Sequence, residues 1–400
     1  MDLINRAHYL SKIKPYINQN LIKVIVGQRR VGKSFLLQSI SKMIESEESN
    51  ANIIFIDKER YEFDTITNYE ALIHYVENKI DDKKKNYLFI DEIQDITSFQ
   101  KAIRHFHNKR DIDLYISGSN ADILSGELAT LLSGRSIEVK VNTLSYLEFL
   151  EFHQLSDSDE SLQKYLKWGG LPYLKNLVKE DEIIFDYLEN IVSTVLYKDI
   201  VSRYNIRNTD FFNQLIKYVA ANCGNLFTSK KISDYLKSQK VDISPKVILN
   251  YLNYLNNAFM LYRVSRKDVH TKKIFEINHK YYFEDWGMRN ALLGLSHYAA
   301  PDVLENVVFS HLKTLGYSVS IGVIKNLEID FIAQKQNENI YVQVTYLITD
   351  EKVKQREFGN LLQVQDNYPK YVVSLDPVEI GEYKGIKHLH LRKFLMKTKF

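Results

Sequence analysis

The chain has 400 residues, 45% hydrophobic and 26% charged, the balance of a globular protein too long for one ordinary core. No apolar run approaches the roughly 18 residues that cross a bilayer, "MDLINRAHYL" lacks a signal peptide's apolar core, and the one cysteine, Cys223, excludes an internal disulfide; the expectation is a cytoplasmic chain with no membrane partner and a small, buried thiol. The net charge of +3 singles out no partner, but residues 201–280 hold 14 Lys and Arg against 5 Asp and Glu, so the remainder is net negative.

In chain order, "LIKVIV" at residues 21–26 is a short β-branched apolar run that predicts a buried parallel strand. "KSFLLQSISKMI" places Phe35, Leu36, Ile40 and Ile44 at the spacing of one helical face. Between them stands "GQRRVGKS", in which Gly27 and Gly32 are followed by Lys33 and Ser34, the G-x-x-x-x-G-K-[ST] spacing of a P-loop. At a strand-to-helix turn, backbone N–H groups and the helix N-terminus can face a triphosphate. Gly27, Gln28, Arg29, Arg30, Val31, Gly32, Lys33, Ser34 and Phe35 are therefore the candidate ATP-binding residues. Lys33 is assigned to the β- and γ-phosphates, and the Ser34 hydroxyl to Mg2+.

"KNYLFIDEIQ" predicts a strand, Tyr87 to Ile90, that ends in Asp91 and Glu92. A carboxylate at the carboxyl end of a parallel strand lies beside a P-loop, which assigns Asp91 to the metal and Glu92 to polarising the attacking water. A third strand, "IDLYISGSN", ends in Ser117, Ser119 and Asn120. Ser119 and Asn120 are both candidates to sense the γ-phosphate, and nothing in the sequence separates them. "ADILSGELATLLSG" predicts a helix, and Arg135 follows it directly before the strand "SIEVKVN". An arginine at that corner points toward a neighbouring copy's nucleotide, which would make the protein a homo-oligomer with a finger worth roughly 10³–10⁵ in rate. A surface arginine paired with a carboxylate is the other reading.

These motifs, "GQRRVGKS", "FIDEIQ", "ISGSN", "LLSGR" and "LSYLEFLEF", in this order resemble the AAA-type branch of P-loop ATPases. The resemblance is closest to bacterial ATP-binding proteins that carry a C-terminal domain of unknown function; "KWGGLPYL" and "YYFEDWGMRNALLG" are similar to that family too. It covers nearly the whole chain and implies an α/β core with a central parallel sheet and a helical lid, in an ATPase that uses ATP and magnesium.

The expected division is a P-loop core over residues 1–145, a lid over 146–205, a winged helix over 206–298 and an α/β restriction-endonuclease-like domain over 299–400. After residue 145 amphipathic helices such as "DEIIFDYLENIVSTVLYKDIV" take over. "DFFNQLIKYVAANCGN", "TSKKISDYLKSQ" with a Thr228 cap and "SPKVILNYLNYLNNAF" with Ser244 before Pro245 predict three helices. "MLYRVSRKDV" and "KKIFEINHKYYFE" follow as a hairpin, completing a winged-helix order. Lys246, Arg263, Arg266, Lys267, Lys272 and Lys273 are its candidate contacts to DNA or RNA phosphates. Winged helices also pack against proteins, and the sequence leaves both uses open.

Residues 301–375 read as αβββαβ, with Glu305 on the first helix and Asp330 on the second strand, an order that resembles the PD-(D/E)-x-K nuclease fold. That resemblance implies a magnesium site and a water-activating lysine. Here Gln343 stands at the second carboxylate and Thr345 at the lysine, so the expectation is a fold without cleavage, with Lys352 or Lys354 as alternative sources of charge. The overall reading is an ATPase that acts on nucleic acid. The rival is a nucleotide-gated switch or scaffold that binds a protein partner.

Overall fold

The computed structural model describes residues 6–109, 111–124, 133–238, 241–294 and 301–400. They form two compact units: the described residues up to Asn142 together with Asn257–Phe259, and Thr143–Asn256 with Met260–Phe400. This grouping differs from the four-part division read from the sequence. Among the described residues no helix is long and apolar enough to cross a membrane.

The first unit is built on a parallel sheet of β1 (Ile22–Val26), β2 (Ala51–Asp57), β3 (Lys85–Asp91), β4 (Ile112–Gly118) and β5 (Ser136–Lys140), in the order β2-β3-β4-β1-β5. Every residue of β1 is buried, as its unbroken β-branched run predicts. On one face Val24, Val26, Ile90 and Ile116 pack with Leu72, Val76, Ile103 and Phe106 of the helices Tyr69–Glu77 and Phe99–Lys109. Alternation puts Lys23 on the other face, where it is fully buried and ion-paired with Asp113, and its ammonium also donates to the Gln19 carbonyl at 2.9 Å. The helix after the loop spans Lys33–Glu47 and buries Leu36, Leu37, Ile40 and Ile44. Phe35, expected on that apolar face, is 53% exposed; Leu37 takes the inward position, because residue 35 lies a further 100° round the helix. Most of the helix expected over residues 121–134 lies outside the described residues.

The second unit opens with the helix Tyr146–His153, which starts at a reciprocal capping box between Ser145 and Glu148. The long helix expected after residue 181 runs as α-helix through Thr194 and continues as π-helix over Val195–Ser202. Helices Thr209–Ala221, Ser229–Ser238 and Pro245–Asn257 follow, the second capped by Thr228, whose hydroxyl accepts the Lys231 N–H at 3.1 Å. The hairpin of β6 (Leu261–Asp268) and β7 (Ile274–Phe283) comes next. It does not stand apart from the C-terminal third. β6 pairs in parallel with β8 (Ser318–Ile324), and the sheet continues through β9 (Leu327–Lys335), β10 (Glu338–Val344), β11 (Lys370–Ser374), β12 (Glu382–Tyr383) and β13 (Ile386–His390). The resulting order is β12-β13-β11-β10-β9-β8-β6-β7. Two isolated strands are marginal in water, and annexation to a larger sheet satisfies their backbone on one side. Helices Pro301–Thr314 and Glu351–Leu362 complete the α-β-β-β-α-β order of elements.

Candidate nucleotide site

The turn after β1 is shaped by two glycines. Gly27 has φ +154°, and a Cβ there would stand 2.3 Å from the Val141 carbonyl oxygen, so no side chain fits. Gly32 has φ +100° and caps the helix Lys33–Glu47 without a side-chain hydrogen bond, which leaves the first N–H groups of that helix for an anion. Arg30 also holds a left-handed conformation, at φ +71°. The guanidinium of Arg6 donates to the Val31 carbonyl at 3.2 Å and to the Asn142 carbonyl at 2.8 Å, tying the loop to the end of the sheet.

Lys33 is buried, with Nζ 3.1 Å from the Gln28 carbonyl and 3.3 Å from Glu92 Oε1. Glu92 follows β3 in a left-handed conformation, φ +53°, uncommon for a residue with a side chain. That turn brings its carboxylate to Lys33 and, on Oε2, to Ser119 Oγ at 2.9 Å and to the Gln94 amide. Burial alone would raise the Glu92 pKa, but the charges of Lys33 and Arg29, with the Gln94 and Ser119 hydrogen bonds, bring it down to about 2. Glu92 is thus an anion at neutral pH, as a group that polarises water must be. Arg29, buried in the loop, is itself anchored to Glu59 at 2.6 Å.

Asp91 is 1% exposed. Its Oδ1 accepts from Ser117, while Oδ2 has no hydrogen-bond partner among the described residues. Burial raises its pKa, and the hydroxyls of Ser117 and Ser34 oppose that rise. A buried carboxylate oxygen left over beside the Ser34 hydroxyl is a donor set of hard oxygens, which fits magnesium. Ser34 and Asp91 are the residues that would hold the ion, which when bound neutralises phosphate charge.

Of the two sensor candidates, Ser119 touches the Glu92 carboxylate, whereas the Asn120 Oδ1 accepts the Asp122 N–H at 2.7 Å. Arg135 is exposed immediately before β5, and its carbonyl accepts the Ile22 N–H at 2.8 Å. Sequence reading missed Gln94, which bridges Glu92 and, at 3.4 Å, Ser119. Gln94 closes the "FIDEIQ" motif, but no local pattern shows that its amide reaches Glu92 and Ser119.

The C-terminal candidates are only partly brought together. Asp330 and Gln343 are neighbours across β9 and β10, with the Asp330 N–H donating to Gln343 Oε1 at 3.3 Å and the Val344 N–H donating to Asp330 Oδ2 at 2.8 Å. Glu305 and Asp330 converge on a cation that the sequence did not nominate, Lys280 of β7. Thr345 is buried, and its N–H donates to the Val373 carbonyl at 3.0 Å. Neither lysine proposed as a substitute reaches the cluster: Lys352 is exposed, and Lys354 pairs with Glu351 at 3.4 Å and lies over the Tyr383 ring.

Of the basic candidates, Lys246, Arg263, Lys272 and Lys273 are exposed, and among the described residues none of the four forms an ion pair. Lys267 instead donates to Gln334 at 2.5 Å, and Arg266 covers the Phe275 ring. Cys223 is buried, donates to Asn306 Oδ1 at 3.1 Å, and has its thiol pKa pushed up to about 12 by burial.

Two sequence motifs without chemistry of their own prove to be halves of one joint. The Asp285 carboxylate accepts the N–H of Gly170 at 2.8 Å and of Met288 at 3.0 Å, while Trp286 Nε1 donates to the Tyr165 carbonyl at 2.7 Å. A Cβ at Gly287 would lie 2.0 Å from the Trp168 carbonyl oxygen. "WGG" and "DWG" therefore interlock at backbone distance.

Residues 19–150 match a family described as an AAA domain, and residues 159–299 match a domain of unknown function. An uncharacterized protein of Haemophilus influenzae is 34% identical over 402 residues, covering 99% of both chains. The chain belongs to the same family as that protein. A second member, an uncharacterized protein of Methanocaldococcus jannaschii, is 30% identical over 374 residues, 89% of this chain and 82% of its own. The Walker-type ATPase of Pyrococcus abyssi shares the fold, with a TM-score of 0.51 at 16% identity, over 72% of this chain and 96% of that one. The N-terminal unit of this AAA-domain protein is a P-loop AAA+ core, and the parallel five-stranded sheet with its Gly27–Ser34 turn is the nucleotide-binding fold of that class.

Proposed function

We propose that this AAA-domain protein binds ATP with magnesium at the Gly27–Ser34 loop, hydrolyses it, and couples its nucleotide state to nucleic acid held by the second unit. The observation that carries the reading is the Lys33–Glu92 pair: a buried ammonium and a carboxylate kept ionised, 3.3 Å apart at the mouth of the loop. An arriving phosphate displaces Glu92 from Lys33 and frees an anionic base beside the γ-phosphate. Glu92 then orients the attacking water and accepts its proton, Lys33 stabilises charge on the phosphoryl oxygens, and Ser119, bonded to Glu92, registers the displacement. Arg135, exposed ahead of β5, is the candidate to complete the site of a second copy.

The exposed cations Lys246, Arg263, Lys272 and Lys273, which form no ion pair among the described residues, favour a phosphate backbone as the partner of the second unit, in a winged-helix arrangement of three helices and a hairpin. The α-β-β-β-α-β segment is read as a nuclease-like fold that does not cleave. ATPase rates measured with duplex DNA, with RNA and with neither test the coupling. Stimulation by nucleic acid supports it; equal rates in all three favour a switch that answers to a protein partner.

A further inference from the structure

Lys280 is buried at 5% side-chain exposure on β7, whereas the cations of the adjoining β6, Arg263, Arg266 and Lys267, lie outward or half-outward. Its Nζ stands 2.9 Å from Glu305 Oε1, 2.8 Å from Glu328 Oε1 and 3.9 Å from Asp330 Oδ1. These groups come from the helix Pro301–Thr314 and from β9. Tyr282, on the same face of β7, donates its hydroxyl to Glu305. Gly224, at φ +77°, closes over the other side, where a Cβ would approach Glu305 Oε2 to 3.1 Å. Burial by itself would strip the proton from this lysine; the three carboxylates reverse that and raise its affinity for the proton. In turn, burial raises the carboxyl pKa values of Glu305 and Asp330, against the opposing charge of Lys280.

One oxygen of each carboxylate is thus already turned to Lys280. Glu305 faces Lys280 and Tyr282, Glu328 faces Lys280, and Asp330 faces Lys280 on one oxygen and the Val344 N–H on the other. A metal ion in their midst would also sit against a fixed ammonium in a medium that screens poorly. We propose that Lys280 is the resident cation of this pocket: its ammonium takes the place of a divalent metal, and the cluster is a metal-free charge lock that pins β7 to the helix Pro301–Thr314 and to β9. The lock deepens the reading of the C-terminal segment as a fold that does not cleave. It is independent of ATP hydrolysis, so either can fail alone.

Electron paramagnetic resonance titration with Mn2+ tests it on full-length, nucleotide-free protein carrying Asp91→Asn, which removes the carboxylate assigned to the metal at the P-loop. With Lys280 present, no bound Mn2+ should depend on Asp330. Lys280→Met should gain one Mn2+ at least tenfold tighter, and Asp330→Asn added to it should abolish the gain. Mn2+ held with Lys280 in place and lost on Asp330→Asn would overturn the proposal, as would a folded Lys280→Met variant that gains nothing. Should Lys280→Met alone not fold, the Lys280→Met/Glu305→Gln/Asp330→Asn variant, which also removes two of the three facing carboxylates, should recover folding; failure of that rescue also refutes the lock.

Discussion

Replacing Glu92 by glutamine should move binding and turnover in opposite directions. In the nucleotide-free protein the Glu92 carboxylate lies 3.3 Å from the Lys33 ammonium, and both side chains are at most 5% exposed. At an effective dielectric constant of about 20, two unit charges at that separation attract by roughly 5 kcal/mol. Desolvation of two buried ions offsets most of this, and a charged hydrogen bond of the kind nets about 1.5–3 kcal/mol. A phosphate must break the pair to reach Lys33, so the carboxylate competes with nucleotide by nearly that amount. Glu92→Gln keeps the shape and removes the competitor, and a release of about 1–2 kcal/mol tightens ATP binding by roughly 5–30-fold. Loss of the base meanwhile lowers turnover by about 10²–10⁴. Anisotropy of a fluorescent ATP analogue with magnesium reads the affinity. Unchanged or weaker affinity in a folded Glu92→Gln variant would refute the idea that the pair guards the loop.

Other outcomes follow from the same geometry. Because the folded-state pKa of Glu92 is depressed to about 2 from a carboxyl's usual 4.5, its contribution to stability is complete above about pH 4.5 and is lost as pH falls toward 2; acid unfolding of Glu92→Gln should therefore show a shallower pH dependence across that window than wild type. Gly287→Ala forces a Cβ to within 2.0 Å of the Trp168 carbonyl oxygen and should destabilise the second unit by about 1–3 kcal/mol or more in denaturant titrations, with ATP affinity of the first unit unchanged. The pair Lys272→Ala and Lys273→Ala should lower the salt slope of DNA binding by roughly two, since each exposed lysine at a phosphate releases about one counterion. An unaltered slope would remove the hairpin from the phosphate surface.

The nucleotide loop was legible because its chemistry is contiguous: glycines, lysine and serine fall within eight residues between a strand and a helix, and Asp91 and Glu92 end a strand that composition alone reveals. The Glu92 turn was not, since a left-handed glutamate has no composition signal. Phe35 was misplaced because "SFLL" offers three adjacent apolar residues and only packing chooses which turn inward. Lys280 looked like one more cation in a basic stretch; its partners lie 25, 48 and 50 positions away on other elements, beyond the reach of any local pattern. For the same reason the pairing of β6 with β8, which joins the hairpin to the C-terminal sheet, could not be read from either segment. Asp330 and Gln343 were placed on a common face by simple alternation, which is a local property, and they do meet.

Phosphate release from ATP and magnesium, followed under single-turnover conditions for wild type, Lys33→Ala and Glu92→Gln, tests the central claim most directly. Wild type should release phosphate, Lys33→Ala should retain no nucleotide, and Glu92→Gln should hold intact ATP tightly. Release at the wild-type rate from Glu92→Gln would contradict that claim.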